Sequence, residues 1–275
     1  MAVKTYTLER YNSSNTVNPL SVGMSQSNPA TSATQLAGLG VTTDGNYWIT
    51  INSVSTECYV NFTFAGGPYI LTIVTSGTGS TYGYDSTVWT DVSGGVSTAL
   101  NPASATNQVH TSFYTQATTR TGLALYQNST LYFHYYDHAS FTQRALANGS
   151  AGVPSAVSPD GQTIAANNLI PASSPKRAGG WGDSITAAGF SAYNWGSTYF
   201  RYGWQHGTPD PSQFGYMRFG FSGDTDASDS RDRMIGIGIK NNGGGPVGSV
   251  SYSAGYTDYT AGISNPLRGF LYLKN

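Results

Sequence analysis

Apolar and polar residues alternate along several short runs of this chain, and the alternation predicts β-strands. Residues 59–64 alternate most cleanly, which suits a strand with one buried face. The other predicted strands are residues 47–51, 69–74, 131–136, 234–239 and 270–273. The breaks between the first three strands are short and either polar or rich in glycine, as antiparallel connections are. The pattern predicts a β-rich fold, α+β with little helix, in which long loops join short antiparallel strands.

The chain carries one short helical signal and a middle with few regular elements. Residues 32–40 predict a helix, because Ser or Thr can cap its start and glycine ends it. Between residues 77 and 216 the clear strand is 131–136, and residues 92–108 and 148–176 are rich in Ser, Thr, Ala, Gly and Pro. Connections of that length are uncommon in a compact domain, so we predict an irregular, loop-dominated middle. Without a repeat or a linker, residues 32–275 are predicted as one domain.

Residues 1–31 are predicted to form an N-terminal attachment arm. After a β-like start the segment is dominated by Asn, Ser, Thr and Pro, so it buries too little apolar surface to fold alone. Two interpretations stay open: a floppy tail, or an arm that docks onto a neighbouring subunit or particle.

The composition narrows the classes of partner. Charged residues make up 10% of the chain and the formal net charge is −1, whereas a soluble domain has about 25% charged residues. Such a neutral chain offers no electrostatic footprint for nucleic acid or anionic lipid. The 20 tyrosines supply flat, rigid, amphipathic contact area, which favours polar recognition sites. A single cysteine, Cys58, excludes an intramolecular disulfide.

The chain also lacks export and membrane signals. Its N-terminus has no apolar core of the length that a secretory signal needs, and no run approaches the roughly 18 apolar residues of a membrane span. We therefore expect folding in a cytoplasm, without membrane insertion, although the composition is that of an extracellular β protein. A virus particle assembled inside a bacterial cell reconciles the two.

An acidic loop near the C-terminus is a candidate metal site. Calcium takes six to eight oxygen ligands, and closely spaced carboxylates in one loop supply several of them. The predicted ligands are Asp224, Asp226, Asp229 and Asp232. The alternative is a solvated loop whose charge is met by Arg231 and Arg233, since carboxylates crowded without a cation repel each other.

An aromatic segment follows the acidic loop, and both are predicted to lie in loops between short strands. Tyrosine rings stack on the apolar face of a pyranose, while a carboxylate accepts its hydroxyl protons. The candidate sugar-binding residues are Trp204, His206, Tyr252, Tyr256, Asp258 and Tyr259. The alternative is that these rings cover a sheet edge or an oligomer interface, where Tyr and Trp are also enriched.

Two further groups resemble catalytic or metal sites and are interpreted as structural. His134 and His138 share a strand face but lie about 13 Å apart at the typical rise, so with Asp137 between them they are predicted to be packed or hydrogen-bonded. Residues 182–186 resemble the nucleophile block of the Gly-Asp-Ser esterases. No buried strand precedes Ser184, however, and the later His206 has no aspartate three residues before it. We therefore predict a protein that is not an enzyme.

Both ends of residues 32–275 resemble fibrinogen-like domains. Residues 44–49 match the Asp-Gly-x-Tyr-x-Ile turn and strand of that family, and residues 66–71 match its next turn loosely. Residues 82–91 are similar to the Tyr-Asp-Ser-x-x-Trp-Thr signature of the bacterial and phage branch, and residues 218–239 to its strand, acidic loop and Gly-Ile-Gly strand. Residues 252–273 resemble the end of the intelectins, the lectin branch. The family's cysteines are absent, and its calcium loop is matched in character alone.

The resemblance implies a fibrinogen-like/intelectin-like domain on the outside of a bacteriophage particle, as a tail fibre or capsid fibre. It would be a non-enzymatic adhesin for host cell-surface carbohydrate, with residues 1–31 contacting other virion structural proteins. A homo-oligomer, a trimer, follows from analogy with phage appendages. The first alternative is a purely structural head-decoration or fibre protein without a ligand, and a remote one is a polysaccharide esterase.

Overall fold

The structure, a computed structural model, is dominated by strands, and the pairings between these strands are antiparallel. The predicted β-rich fold class is confirmed. The structure describes residues 21–64, 66–77, 79–91, 95–127, 130–148, 155–157, 163–165, 170–171, 199–206, 215–224, 233–242, 249–258 and 262–275.

The helices of this part of the chain are short: α1 Ala33–Gly38, α2 Ser112–Thr115 and α3 Gln143–Asn148, with a 3₁₀ turn at Thr87–Trp89. The strands are β1 Gly45–Ile51, β2 Val54–Asn61, β3 Tyr69–Val74, β4 Gln108–Val109, β5 Ala117–Gln127, β6 Thr130–Thr142, β7 Ser155–Val157, β8 Thr163–Ala165, β9 Ile170–Pro171, β10 Tyr199–His206, β11 Gly215–Asp224, β12 Arg233–Asn242, β13 Ser249–Asp258, β14 Ile263–Pro266 and β15 Arg268–Leu273. None of the helices in the described ranges is long and apolar enough to cross a bilayer.

The strands form two sheets, and the C-terminal strand lies inside the first. The first sheet has the order β1-β2-β3-β15-β5-β6-β7-β8, with β4 paired to β3. The second has the order β14-β13-β12-β11-β10-β9. Strand β15 pairs with both β3 and β5, so the last strand of the chain joins two hairpin regions that are remote in sequence. The two sheets share one apolar core cluster, which draws Leu123 and Leu271 from the first sheet and Phe219 and Ile237 from the second.

The predicted helix forms, and the segment before it is folded onto the first sheet. The Ser32 side chain accepts a hydrogen bond from Gln35 N (3.0 Å), as the capping prediction requires. Gly23 O accepts from Trp48 N at 2.7 Å, and Ala30 N donates to Trp48 O at 2.8 Å. Residues 21–31 therefore lie along the edge strand β1. Residues 1–20 lie outside the described residues, and the attachment arm stays a prediction.

The second strand begins and ends earlier than the sequence predicts. The turn before it needs only Asn52 and Ser53, both with positive φ (47° and 68°), which is typical of the tight turns in hairpins. The predicted strand over residues 59–64 ends at Asn61, because side chains replace the sheet partners of the next backbone N–H groups. Phe62 N donates to Asp44 Oδ1 at 2.7 Å, and Phe64 N donates to Asn61 Oδ1 at 2.9 Å.

The prediction of an irregular middle is wrong for residues 117–148, which form β5, β6 and α3, and for residues 199–206, which form β10. In β5, small residues stand where the alternation would show large ones. A Cβ on Gly122 would lie 2.7 Å from a ring carbon of Phe133, so the neighbouring strand fills that space. The apolar side chains that fill one face of β5 therefore come partly from β6, and the sequence of β5 alone does not reveal a buried strand.

Candidate functional site

The second sheet places the acidic loop and the end of the aromatic segment at the same end of the molecule. Arg233 on β12 pairs with Gly223 on one side and with Asp258 on the other. Asp224 is the last residue of β11, so the backbones of Asp224 and Asp258 are about two strand spacings apart, or about 10 Å. The other predicted calcium ligands, Asp226, Asp229 and Asp232, lie outside the described residues, as does Tyr259.

Two of the predicted sugar-binding residues lie on a different part of this sheet. Trp204 pairs with Phe219, which pairs with Ile237, which in turn pairs with Ala254. Trp204 is therefore about 14 Å across the sheet from β13, while Asp258 is about 13 Å further along β13. His206 follows Trp204 toward the end away from Asp258. The backbone thus divides the predicted set into two groups.

The aromatic segment is a strand and not the predicted loop. Tyr252, Tyr256 and Asp258 all lie within β13, which pairs with β12 over most of its length. This part of the prediction is wrong because the Ser, Thr and Gly residues between the aromatic ones make the composition look loop-like, although Ser253, Ala254, Gly255 and Thr257 are buried in the sheet. The acidic loop does connect two strands, β11 and β12.

The side chain of Tyr252 is engaged within the sheet. Its hydroxyl lies 2.8 Å from Ser264 Oγ on the neighbouring strand β14. Its ring lies beside Gly255, where a Cβ would be 2.8 Å from ring carbon Cδ2. The half-buried ring therefore stabilises the pairing of β13 with β14. The contact with Gly255 and the hydrogen bond to Ser264 together fix the position of the Tyr252 side chain.

The signature at residues 82–91 builds the core of the molecule. Trp89 is fully buried, and its Nε1 donates to Gly83 O at 2.7 Å. Its ring packs against Phe113 and Phe219, with centroid distances of 6.0 and 6.3 Å. Gly238, with φ +67°, allows close approach, since a Cβ there would lie 2.8 Å from Trp89 Cζ2. The tryptophan of this motif therefore has a structural role in the core.

Arg218 attaches the same loop to the second sheet. Its Nε donates to Tyr84 O at 2.8 Å and its Nη1 to Ala147 O at 2.6 Å. The guanidinium also lies 4.0 Å from the centroid of the Tyr84 ring. Beside it, Lys240 Nζ is 2.7 Å from Asp85 Oδ2 in an exposed ion pair. Arg218 on β11 therefore links the loop of residues 82–91 to α3 through their backbone carbonyl groups.

The histidine group behaves as the structural interpretation predicts where the structure describes it. Asp137 forms a bidentate ion pair with Arg120, including Arg120 Nη2–Asp137 Oδ2 at 2.8 Å. His138 is buried, with Nε2 3.1 Å from Thr121 Oγ1. His134 stands opposite Leu123 on β6. Within the described residues no group of three or more His, Cys, Asp or Glu could hold a metal ion, and the calcium prediction concerns a loop beyond them.

A second histidine lies in the core beside the only cysteine. His110 Nε2 is 3.2 Å from Glu57 O, a pure acceptor, so Nε2 carries the proton, and Nδ1 accepts from Ser112 (2.7 Å to Oγ). Burial lowers the pKa of His110 to about 4. Cys58 Sγ lies 4.0 Å from Nε2, and burial raises the pKa of this thiol to about 12. A neutral thiol beside a neutral imidazole is not a nucleophilic pair. The esterase motif around Ser184 lies outside the described residues.

A group of aromatic side chains on the first sheet was not predicted from the sequence. Tyr126 is 37% exposed, and Tyr59, Phe64, Phe133 and Tyr135 are half-buried in one cluster. The signal was present, because alternate positions of the predicted strand 131–136 are Leu131, Phe133 and Tyr135. The pattern shows which residues share a face, but it does not show that this face lies away from the second sheet.

Comparison with protein-family models and with curated proteins gives no match to this chain.

Proposed function

We propose that this protein is a non-enzymatic surface protein of a bacteriophage particle, a tail fibre or capsid fibre, that binds carbohydrate on the host cell. The resemblance of residues 32–275 to fibrinogen-like and intelectin-like domains implies the virion location and the carbohydrate ligand. The β-rich fold is compatible with this resemblance. A homo-oligomer, a trimer by analogy, would present several copies of the site, and residues 1–31 would contact other virion proteins.

One observation supports the proposal most strongly: Gly223, Arg233 and Asp258 are in register on three adjacent strands. The acidic loop and the segment after Asp258 therefore leave the second sheet at the same end of its strands. Loops that leave a rigid sheet at a shared edge form a common site for recognition. In the proposed site, calcium held by Asp224, Asp226, Asp229 and Asp232 would order the loop beside Tyr256 and Asp258.

The test is the binding of the labelled full chain to a panel of bacterial surfaces and purified glycans, with and without a calcium chelator. The proposal predicts selective binding, and binding that the chelator abolishes would support the metal. Selective binding that ignores the chelator would keep the adhesin and discard the calcium. If a correctly folded protein binds no surface and no glycan, the adhesin is contradicted.

A structural role without a ligand is the second candidate, and Tyr252 favours it, since its hydroxyl is bonded within the sheet. The double variant Tyr256→Ala/Asp258→Ala separates the two. Lost host binding with intact assembly supports the adhesin, and lost assembly supports the structural role. Val96→Ala is the control, because Val96 is 45% exposed and lies outside the candidate site, so binding should be unchanged.

A further inference from the structure

The first sheet forks between β2 and β3. The register of these two strands covers two residue pairs, at the Asn61 end of β2. Further along β3 the neighbouring strand is β4, and the residue after β4, His110, donates from its backbone N to Thr72 O at 2.8 Å. The imidazole of His110 crosses the fork, and its Nε2 lies 3.2 Å from Glu57 O on β2. One side chain therefore joins β2 to the segment after β4 where the pairing of β2 with β3 has ended.

The hydrogen bonds of His110 assign its proton. Nδ1 accepts from the backbone N of Ser112 at 3.2 Å and lies 2.7 Å from the hydroxyl oxygen of the same residue. Since a backbone N–H can only donate, Nδ1 is unprotonated and Nε2 donates to Glu57 O. A proton added to Nδ1 would face the N–H of Ser112. It would also create a buried imidazolium, because His110 is 0% exposed.

The same nitrogen supplies an acceptor at the start of α2. Ser112 is the first residue of this helix, and the preceding Thr111 makes no capping hydrogen bond with its side chain. The next residue, Phe113, is buried, and its ring lies 6.0 Å from that of Trp89. Protonation of His110 would place a positive charge and a second donor where helix N–H groups already point. The closed arrangement therefore requires a neutral His110.

The segment that buries His110 is held by few contacts. We call residues 95–98 and 108–112 the cover. Within it β4 has two residues, and Val96 joins His110 through an isolated bridge. Val96 is 45% exposed, and residues 97 and 98 are exposed as well. Short pairings close to solvent open at a lower free energy than the core of a domain. The cover can therefore open while the two sheets stay packed.

Cys58 lies beside His110, under the cover. Its Sγ is 4.0 Å from His110 Nε2, and the residue is 0% exposed. It belongs to the core cluster that includes Leu36 of α1 and Ile49 of β1. Because a buried thiol is inert, and this is the only cysteine of the chain, the reactivity of Cys58 reports whether the cover is open.

Burial dominates the titration of His110. From β2 the titratable neighbours are Cys58 and Glu57, and Glu57 meets the ring with its carbonyl group. Its half-exposed side chain points to the other face of the strand than the buried Cys58. From β3 and α2 the contacts are with Thr72 and Ser112, which do not titrate. Burial lowers the pKa of His110 to about 4, although the hydrogen bond to Glu57 O opposes this shift.

We propose that His110 is a pH-sensitive switch: its protonation opens the cover and exposes Cys58 while the two sheets stay folded. In the closed state the neutral ring bonds Glu57 O and Ser112 N. In acid the imidazolium leaves this buried position for water, and the cover moves with it. The inference goes beyond the proposed function and does not depend on carbohydrate binding.

The test is the rate at which 4,4′-dithiodipyridine, a disulfide that reacts with thiols even in acid, labels Cys58 in the full chain from pH 7 to pH 4. Each rate is divided by the rate for the urea-unfolded chain at the same pH. The open state takes up its proton near pH 6.5, so the ratio should rise about tenfold per pH unit, by about 100-fold or more in total. His110→Gln should remove most of this rise. His138→Gln, at another buried histidine, is the matched control and should keep it.

Urea distinguishes local opening from global unfolding, because global unfolding exposes far more surface and responds more steeply to denaturant. Acid-accelerated labelling that changes little in low urea, that His110→Gln loses and that His138→Gln keeps supports the switch. Labelling that rises with urea as steeply as global unfolding does, acceleration that persists in His110→Gln, or no acceleration in acid overturns it. If His110→Gln does not fold, the urea dependence of the wild type decides. Glycan binding enters none of these outcomes, so the proposed function stands or falls separately.

Discussion

The two faces of the first sheet are built from the same strands with different side chains. The inner face is aliphatic: Ile73, Leu123, Leu125 and Leu271 are each no more than 1% exposed. The face away from the second sheet is aromatic: Tyr69, Phe270 and Tyr272 are no more than 3% exposed, while Tyr126 is 37% exposed. Aliphatic side chains fill a closed core densely, whereas aromatic side chains pack by edge-to-face ring contacts. The difference indicates that the inner face closes the core between the two sheets, whereas the aromatic face is held by ring contacts among its own strands.

A β-bulge in the pairing of β3 with β15 changes the face to which the following residues of β3 point. The pairing of β15 with β3 shifts between Leu271 and Tyr272, so Thr72 has no partner in the register. Its hydroxyl donates toward Gln143 Oε1 (2.7 Å) and Leu271 O (3.0 Å). Gln143 in turn donates to Tyr272 O at 2.7 Å. This buried network lets Leu71 belong to the aromatic cluster while Ile73 belongs to the inner core.

The largest expected effect on the free energy of unfolding comes from a substitution in the core between the two sheets. Replacing Trp89 with alanine removes a buried ring between the two sheets and the hydrogen bond to Gly83. The expected loss in the free energy of unfolding is about 3–5 kcal/mol, measured by urea denaturation. Tyr84→Phe in the same loop is the control and should cost well under about 1 kcal/mol. A loss below about 1 kcal/mol for Trp89→Ala would contradict a shared core between the sheets.

The pH dependence of stability is the next effect. His110 is neutral in the folded protein down to about pH 4, while the unfolded chain takes up the proton near pH 6.5. The unfolded state therefore binds more protons between these values, and stability should fall as the pH drops from about 6.5 to about 4, by at most about 3 kcal/mol. His110→Gln should flatten this part of the curve of unfolding free energy against pH. An unchanged slope would show that other groups cause the loss.

The smallest effect is expected at the ion pair between Arg120 and Asp137. A double-mutant cycle with Arg120→Gln and Asp137→Asn should give a coupling of about 1 kcal/mol or less, because solvent reaches both side chains. Urea unfolding of the four proteins measures this coupling. A coupling of several kcal/mol would contradict the expectation that solvent screens the pair.

Much of the fold could be predicted from alternation. β3 has the predicted bounds, and β1, β6, β12 and β15 extend the predicted runs by two to seven residues. The turn at Asp44 was also visible, but the role of its carboxylate as an acceptor for Phe62 N was not. The failure at β5 has a physical cause, since Phe133 and Tyr272 from neighbouring strands fill the space beside Gly122 and pack in one cluster with Ala124. The alternation along one strand does not show which side chains the neighbouring strands place against it.

The candidate site was less predictable because it depends on register. The sequence indicated a set that includes Trp204 and Asp258, and the pairing of four strands separates these two by most of the sheet. Residues 82–91 were identified from the sequence as a family signature. Their packing shows that Trp89 belongs to the core. Register and pairing order come from contacts between distant segments, which one chain's composition does not contain.

The most direct test of the account uses two neighbouring residues of β5 that point to opposite faces. Leu125→Ala and Tyr126→Ala would each be measured for the free energy of unfolding by urea denaturation. Because Leu125 is 1% exposed and Tyr126 is 37% exposed, we predict that Leu125→Ala loses about 2–5 kcal/mol and that Tyr126→Ala loses less. If Tyr126→Ala is as destabilising as Leu125→Ala, the two faces of the first sheet are equally closed and the comparison is contradicted.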